Sequence, residues 1–185
     1  MKNILLGIAV TLVLAGCGER KEAAPPPAPQ KAAAADLSAG KALAERMCQA
    51  CHGLDGKGVG PGIPNLAAQR ERYLLAALKE YKEGKRHHSG LHELATKMSD
   101  ADMRNIAAYY SGQPAVVAKT AADVKHSSPY EQGKKLAEAC SNCHGEDGNA
   151  KTPGTPTLAG QQPACLVAAI HEYHRGDRAI GSMRS

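Results

Sequence analysis

Two short motifs hold the residues of this sequence that could do chemistry. A Cys-x-x-Cys-His pattern occurs twice, and its members are Cys48, Cys51 and His52 in the first motif and Cys140, Cys143 and His144 in the second. Paired cysteines at this spacing serve in structural zinc sites, in thiol redox pairs and in covalent haem attachment. A zinc site needs four converging ligands and a thiol redox pair needs a βαβ setting, whereas each pair here has one adjacent histidine. The pattern therefore favours haem attachment, in which the two thiols bond to vinyl groups and the histidine binds the iron.

The two motifs belong to an internal repeat. Cys140 follows Cys48 by 92 positions, and the same step joins many further identical residues. Among these pairs are His52 with His144, Asp55 with Asp147, Gly56 with Gly148, Pro64 with Pro156, Gln69 with Gln161, Tyr81 with Tyr173 and Arg86 with Arg178. A run of this length without a gap indicates a tandem duplication of one small module.

Helical periodicity dominates the first module. A segment with Leu43, Met47 and Ala50 on one face leads into the first motif. Two further helices are predicted, one with the apolar face Tyr73, Leu74, Ala77, Leu78 and Tyr81 and one with Met103, Ile106, Ala107 and Tyr110. Ser99 is the expected cap of the last helix, and the residues before it read as a glycine-containing loop. Because no segment alternates like a strand, the predicted class is all-α.

The repeat also sets the predicted domain layout. The first domain is expected at 36–112, a linker at 113–128 and the second domain at 129–185. The second copy matches the first two helices and stops at Ser185 with no counterpart of the third. We therefore expect two tandem domains, the second truncated before its C-terminal helix.

The sequence resembles the class I c-type cytochromes, specifically the di-haem cytochrome c4 group. The resemblance rests on "CQACHG" and "CSNCHG", on "PNLAAQRERYLLAALKEYKEGKR" and its repeat, and on "KMSDADMRNIAAYY". It implies two tandem class I cytochrome c domains, two covalent haem c groups and electron transfer. It also implies that the carbonyls of Pro64 and Pro156 accept a hydrogen bond from the iron-binding histidines, which would raise their basicity. The family's methionine ligand falls on Met183 in the second domain.

The sixth iron ligand of the first domain departs from the family pattern. The position matching Met183 is Leu91, which cannot bind iron. A neighbouring histidine (His92 or His88), Met98 or an open site are the alternatives, and the sequence narrowly favours His92. Cys165, which stands where the first copy has Tyr73, is expected to be a buried thiol rather than an exposed one.

The N-terminal residues read as an export and anchoring segment. Residues 1–16 combine Lys2 with an apolar run too short to span a bilayer, which is typical of a signal peptide. "LAGC" resembles a bacterial lipobox, so Cys17 is the predicted lipidation site. The Ala- and Pro-rich residues 17–35 would form a flexible tether. The expected location is the periplasmic side of a bacterial membrane, with a soluble periplasmic form as the alternative.

Composition narrows the function classes. The chain has 3% aromatic residues and a formal charge of +5, with no block of basic residues, so nucleic-acid binding is excluded. The leading hypothesis is an electron carrier between redox proteins such as a terminal oxidase or reductase. The alternatives are a haem enzyme or a gas- or peroxide-binding protein with an open first haem, and a subunit that acts only when docked in a larger complex.

Overall fold

All regular elements of the described chain are helices, as predicted. The computed structural model describes residues 34–117, 128–178 and 183. Its helices are α1 Leu37–Met47, α2 Gln49–His52, α3 Glu71–Lys82, α4 Ser89–Thr96, α5 Asp100–Ser111, α6 Ser128–His144 and α7 Pro163–Arg175. The predicted signal peptide, Cys17 and residues 118–127 of the predicted linker lie outside the described residues. No helix in the described ranges has the length and apolar character that a membrane span requires.

Helices α1 and α5 cross at a glycine and form the base of the first domain. A Cβ atom on Gly40 would lie 2.2 Å from the carbonyl oxygen of Asn105, so the two backbones touch at this point. The side chain of Asp36 caps α1 by accepting hydrogen bonds from the next turn. The backbone N–H of Asp36 donates to Oδ1 of Asn105 at 2.9 Å, which ties the start of α1 to α5.

Helix α5 has the cap and the buried face predicted from the sequence. Ser99 and Asp102 form a reciprocal capping box at its start. The four apolar residues of its predicted stripe are all buried, namely Met103, Ile106, Ala107 and Tyr110. In α1 the buried positions are Gly40, Leu43 and Ala44, whereas Ala50 is exposed, so its predicted place on the buried face is wrong. The chain breaks helical geometry at Cys48, and Ala50 therefore belongs to a differently oriented short helix.

The loop predicted before Ser99 is wrong. Residues Ser89–Thr96 form helix α4, capped by the ring Nδ1 of His88, which accepts from the backbone N–H of Leu91 at 3.2 Å. The sequence pattern did not predict this helix because Gly90, His88 and His92 are residue types that do not favour a helix interior. Contacts of α4 with α3 stabilise it in the folded chain.

The described part of the second domain has a much smaller core. In residues 128–178 the buried side chains are those of His144, Ala150 and Tyr173. Leu136 of α6 is 76% exposed, and Val167 and Ile170 of α7 are also exposed. No helix within 128–178 takes the place that α5 has in the first domain.

The two domains meet through a reciprocal set of hydrogen bonds. The backbone N–H of Asn65 donates to Oε1 of Gln161, and Nε2 of Gln161 donates back to the carbonyl of Asn65. The repeat-equivalent residues Thr157 and Gln69 make the same two contacts in the opposite direction. This reciprocity is what a two-fold relation between duplicated modules produces.

A strained alanine distinguishes the two copies at one repeat position. Ala68 has φ 53°, and its equivalent Gly160 has φ 69°. The left-handed backbone conformation is unfavourable for alanine because its Cβ lies too close to the following carbonyl oxygen, whereas glycine has no Cβ. Ala68→Gly is therefore expected to raise the free energy of unfolding by about 0.5–1 kcal/mol. This is the strain that is relieved, less the larger conformational entropy that a glycine loses on folding.

The reverse change at the equivalent position is the matched control for this prediction. A Cβ on Gly160 would lie 2.2 Å from the carbonyl oxygen of Val116, so Gly160→Ala should be destabilising. Chemical denaturation of both variants measures the difference. A loss of stability in Ala68→Gly would contradict the strain argument.

Candidate haem sites

One ring nitrogen of each motif histidine is hydrogen-bonded to the backbone carbonyl of a proline. Nδ1 of His52 is 3.0 Å from the oxygen of Pro64, and Nδ1 of His144 is 2.9 Å from the oxygen of Pro156. A carbonyl only accepts hydrogen bonds, so Nδ1 must carry the proton and Nε2 must present its lone pair. Burial lowers the pKa of His52, although the bond to Pro64 opposes this effect, so the neutral form that binds metals is favoured. Both imidazoles therefore present an unprotonated Nε2, which is the form in which a histidine binds a metal.

The four motif cysteines stand one and four positions before these histidines in the sequence. Cys48 packs against the core of the first domain, and its pKa is raised to about 11, chiefly by burial and then by the nearby Cys51. Cys51, Cys140 and Cys143 are exposed. None of the described cysteines forms a disulfide, and no group of three or more His, Cys, Asp or Glu among the described residues is arranged to hold a metal ion.

Two buried arginine atoms fit the acidic groups of a haem. Nε of Arg70 and Nε of Arg86 are buried and have no hydrogen-bond partner. A buried, unpaired guanidinium nitrogen is costly, and carboxylates are its preferred partners. Haem c has two propionate carboxylates, which are groups of the kind that these two buried nitrogens lack.

Arg86 and its repeat equivalent also stack on tyrosines. The guanidinium of Arg86 lies 4.7 Å from the ring centroid of Tyr81, and that of Arg178 lies 5.4 Å from the ring centroid of Tyr173. Arg178 in addition donates a hydrogen bond to the carboxylate of Glu172. Both arginines and both tyrosines are repeat pairs in the sequence, so the shared Arg–Tyr contact is a feature of the duplicated module.

The structure separates the candidate sixth ligands of the first domain. His92 is exposed on α4, and its Nδ1 lies 2.8 Å from the carbonyl of Tyr81. Met98 is 3% exposed and belongs to the core cluster that includes Leu74 and Tyr110, against which Cys48 packs. This placement favours Met98 over His92, contrary to the preference drawn from the sequence.

The remaining candidate residues lie partly in the second domain and partly at the start of α4 in the first. Met183 is half-buried, and its ligation of iron stays a prediction. Cys165 is half-buried, and the pKa of its thiol is raised mainly by burial. His88 caps α4 and is exposed, as is the adjacent His87.

Comparison with known proteins identifies the family. The sequence profile of the cytochrome c family matches residues 37–112 and 130–185. This chain belongs to the cytochrome c family. It is 34% identical to cytochrome c4 of Pseudomonas aeruginosa over 183 residues, which cover 96% of this chain and 84% of that protein. The crystal structure of reduced recombinant cytochrome c4 from Pseudomonas stutzeri superposes with a TM-score of 0.69 at 31% identity, over 81% of this chain and 87% of that chain.

A third relative has a different functional name. The thiosulfate dehydrogenase electron acceptor of Thiomonas intermedia is 32% identical over 140 residues, covering 71% of this chain and 64% of that protein. Together with the cytochrome c4 relatives, the two matched segments establish two tandem cytochrome c domains. The protein is a di-haem electron-transfer cytochrome with two covalently bound haem c groups.

The placement of Met98 and His92 leads to a paired prediction. Met98→Leu keeps the volume of the core but removes the sulfur, so we expect the first haem to lose its sixth ligand and to bind carbon monoxide. His92→Ala should leave the absorption spectrum unchanged, because the His92 side chain is exposed on α4 and lies outside the core cluster that holds Met98. Carbon monoxide difference spectra measure both variants. The opposite pattern would restore His92 as the ligand, and no change in either variant would mean that neither side chain binds the iron.

Proposed function

We propose that this cytochrome carries single electrons on the periplasmic side of a bacterial membrane, towards a terminal oxidase or reductase. The strongest support is that one chain has two equivalent histidine sites. His52 is hydrogen-bonded to the carbonyl of Pro64, and His144 is hydrogen-bonded to the carbonyl of Pro156. Two equivalent sites of this kind suit the storage and passage of electrons one at a time. The name of the Thiomonas intermedia relative, an electron acceptor of a dehydrogenase, supports an upstream oxidising enzyme as the donor.

The chain's own residues define the electron-carrying sites. When bound, haem c supplies an iron that gains and loses one electron. Cys48 and Cys51 would hold one haem, and Cys140 and Cys143 the other, each thiol adding across a vinyl group. His52 and His144 would bind the irons through Nε2, while the proline carbonyls keep the rings in one orientation. Because the sites need no further acid, base or nucleophile, electron transfer is the chemistry they support best.

Spectroscopy and potentiometry of the purified protein test this function. We expect six-coordinate low-spin spectra and two reversible one-electron transitions. Reduced protein should also reduce an isolated terminal oxidase under turnover conditions. Haems that are not reversibly reduced would contradict the proposal.

A second candidate function follows from Leu91. This leucine takes the place of the family's methionine ligand, so an open first iron could serve a haem enzyme or a peroxide- or gas-binding protein. A high-spin fraction, with carbon monoxide binding in the unmodified protein, would favour this second function. Fully low-spin protein without carbon monoxide binding would favour the carrier.

The location rests on the N-terminal residues of the sequence. We propose that the signal peptide is removed before Cys17 and that acyl chains on Cys17 hold the protein at the membrane, since two or more chains give stable attachment. Cys17→Ala should move the protein from the membrane fraction to the soluble periplasmic fraction. Unchanged membrane association of Cys17→Ala would contradict lipid anchoring.

A further inference from the structure

One peptide group in the first domain is hydrogen-bonded at both ends. This group joins Pro64 to Asn65. Its carbonyl accepts from Nδ1 of His52 at 3.0 Å, and its N–H donates to Oε1 of Gln161 at 2.8 Å. Gln161 belongs to the second domain, so the histidine of one domain is connected to a glutamine of the other through a single peptide group.

The second domain has the same arrangement in reverse. The peptide group that joins Pro156 to Thr157 accepts from Nδ1 of His144 at 2.9 Å. Its N–H donates to Oε1 of Gln69 at 2.8 Å. The connection is therefore crossed, since each domain supplies the glutamine that ends the hydrogen-bond chain of the other.

Further contacts hold each glutamine amide in one orientation. Oε1 of Gln161 also accepts from the N–H of Gln162, while Nε2 donates to the carbonyl of Asn65 at 3.0 Å. Gln69 is buried and makes the same contacts with the N–H of Arg70 and the carbonyl of Thr157. Because backbone N–H groups only donate and carbonyls only accept, the two amide ends cannot be exchanged.

We propose that each glutamine tunes the iron-binding histidine of the opposite domain, Gln161 acting on His52 and Gln69 on His144. A hydrogen bond to the N–H of a peptide group polarises that group and strengthens the bond its carbonyl accepts. A stronger bond at Nδ1 makes the imidazole more basic, which favours oxidised iron and lowers the reduction potential. The glutamines are positioning residues, and the inference rests on the proposed electron-carrying function.

Replacement of each glutamine by methionine tests the crossed connection. Methionine keeps the unbranched shape but cannot accept the N–H bond. In Gln161→Met we expect an upward shift of one haem's midpoint potential and a shift of the Nδ1 proton signal of His52, measured by potentiometry and by NMR of histidine-labelled reduced protein. In Gln69→Met the other haem and the His144 signal should shift instead.

A glutamate at the same position separates tuning from a merely structural role. Gln161→Glu loses the donor to the Asn65 carbonyl but keeps a stronger, charged acceptor for the Asn65 N–H, so the potential that rises in Gln161→Met should fall. Gln162→Glu controls for the added charge, and its effect on that haem should be the smaller one. If the methionine variants do not assemble haem, the two glutamate variants Gln161→Glu and Gln69→Glu are compared for the same crossed pattern.

The outcomes distinguish this inference from the proposed function. Shifts that are confined to the haem of the substituted domain, that affect both haems equally or that are absent would overturn the tuning role. In all of these cases, reversible reduction of both haems would leave the electron-carrier function standing. An unmodified protein without reversible reduction would contradict the proposed function and, with it, the inference.

Discussion

Replacing both Cys48 and Cys51 by serine is expected to leave a chain that carries one covalent haem instead of two. Serine cannot form the thioether bonds, and Cys48 lies against the core cluster of the first domain. Loss of the haem would remove the largest apolar group from a domain with few large side chains. We therefore expect about half of the haem absorbance and unfolding of the first domain at lower denaturant concentration.

Mass spectrometry of the denatured protein measures the number of retained haems. Cys165→Ser is the matched control, because this half-buried cysteine lies outside both motifs and should leave two haems in place. The corresponding double variant at Cys140 and Cys143 should remove the other haem. Two covalent haems in the variant with serines at positions 48 and 51 would contradict the assigned attachment sites.

Gly40→Ala is expected to destabilise the first domain by about 2–3 kcal/mol. The added Cβ would lie 2.2 Å from the carbonyl oxygen of Asn105 and 3.0 Å from Cβ of Tyr109, so α1 and α5 must move apart. Overpacking of a close helix crossing costs about 1–3 kcal/mol, and the shift also strains the bond between Asp36 and Asn105. Native-state hydrogen exchange of the haem-loaded protein would report this loss in α1 and α5.

The second module offers a matched control for this variant. Gly133 lies in α6, which leads into the second motif as α1 leads into the first, and a Cβ there would meet no atom within 4 Å. Gly133→Ala should therefore raise the stability of α6 by about 0.5–1 kcal/mol, because glycine is the poorer helix former. Equal effects of the two substitutions would show that helix propensity, and not the crossing with α5, determines the result.

Much of this protein could be predicted from the sequence because the relevant signals are local. Each Cys-x-x-Cys-His motif predicts haem attachment from five consecutive residues. The Ser99 cap and the stripe from Met103 to Tyr110 specify α5, since helical periodicity and capping act between residues three or four positions apart. The repeat step of 92 positions likewise predicted two domains of the same kind.

Other features depend on contacts between residues that are distant in the sequence. Helix α4 is stabilised by its packing on α3, and in this arrangement the His92 side chain is exposed while Met98 lies in the core cluster. The contacts of the two glutamines could not be predicted from the sequence either. The repeat pairs Gln69 with Gln161, but it does not show that each accepts a hydrogen bond from the residue after the proline of the other domain. The docking of the two modules decides this arrangement, because a hydrogen bond across about 90 residues forms only where folding brings both partners to one place.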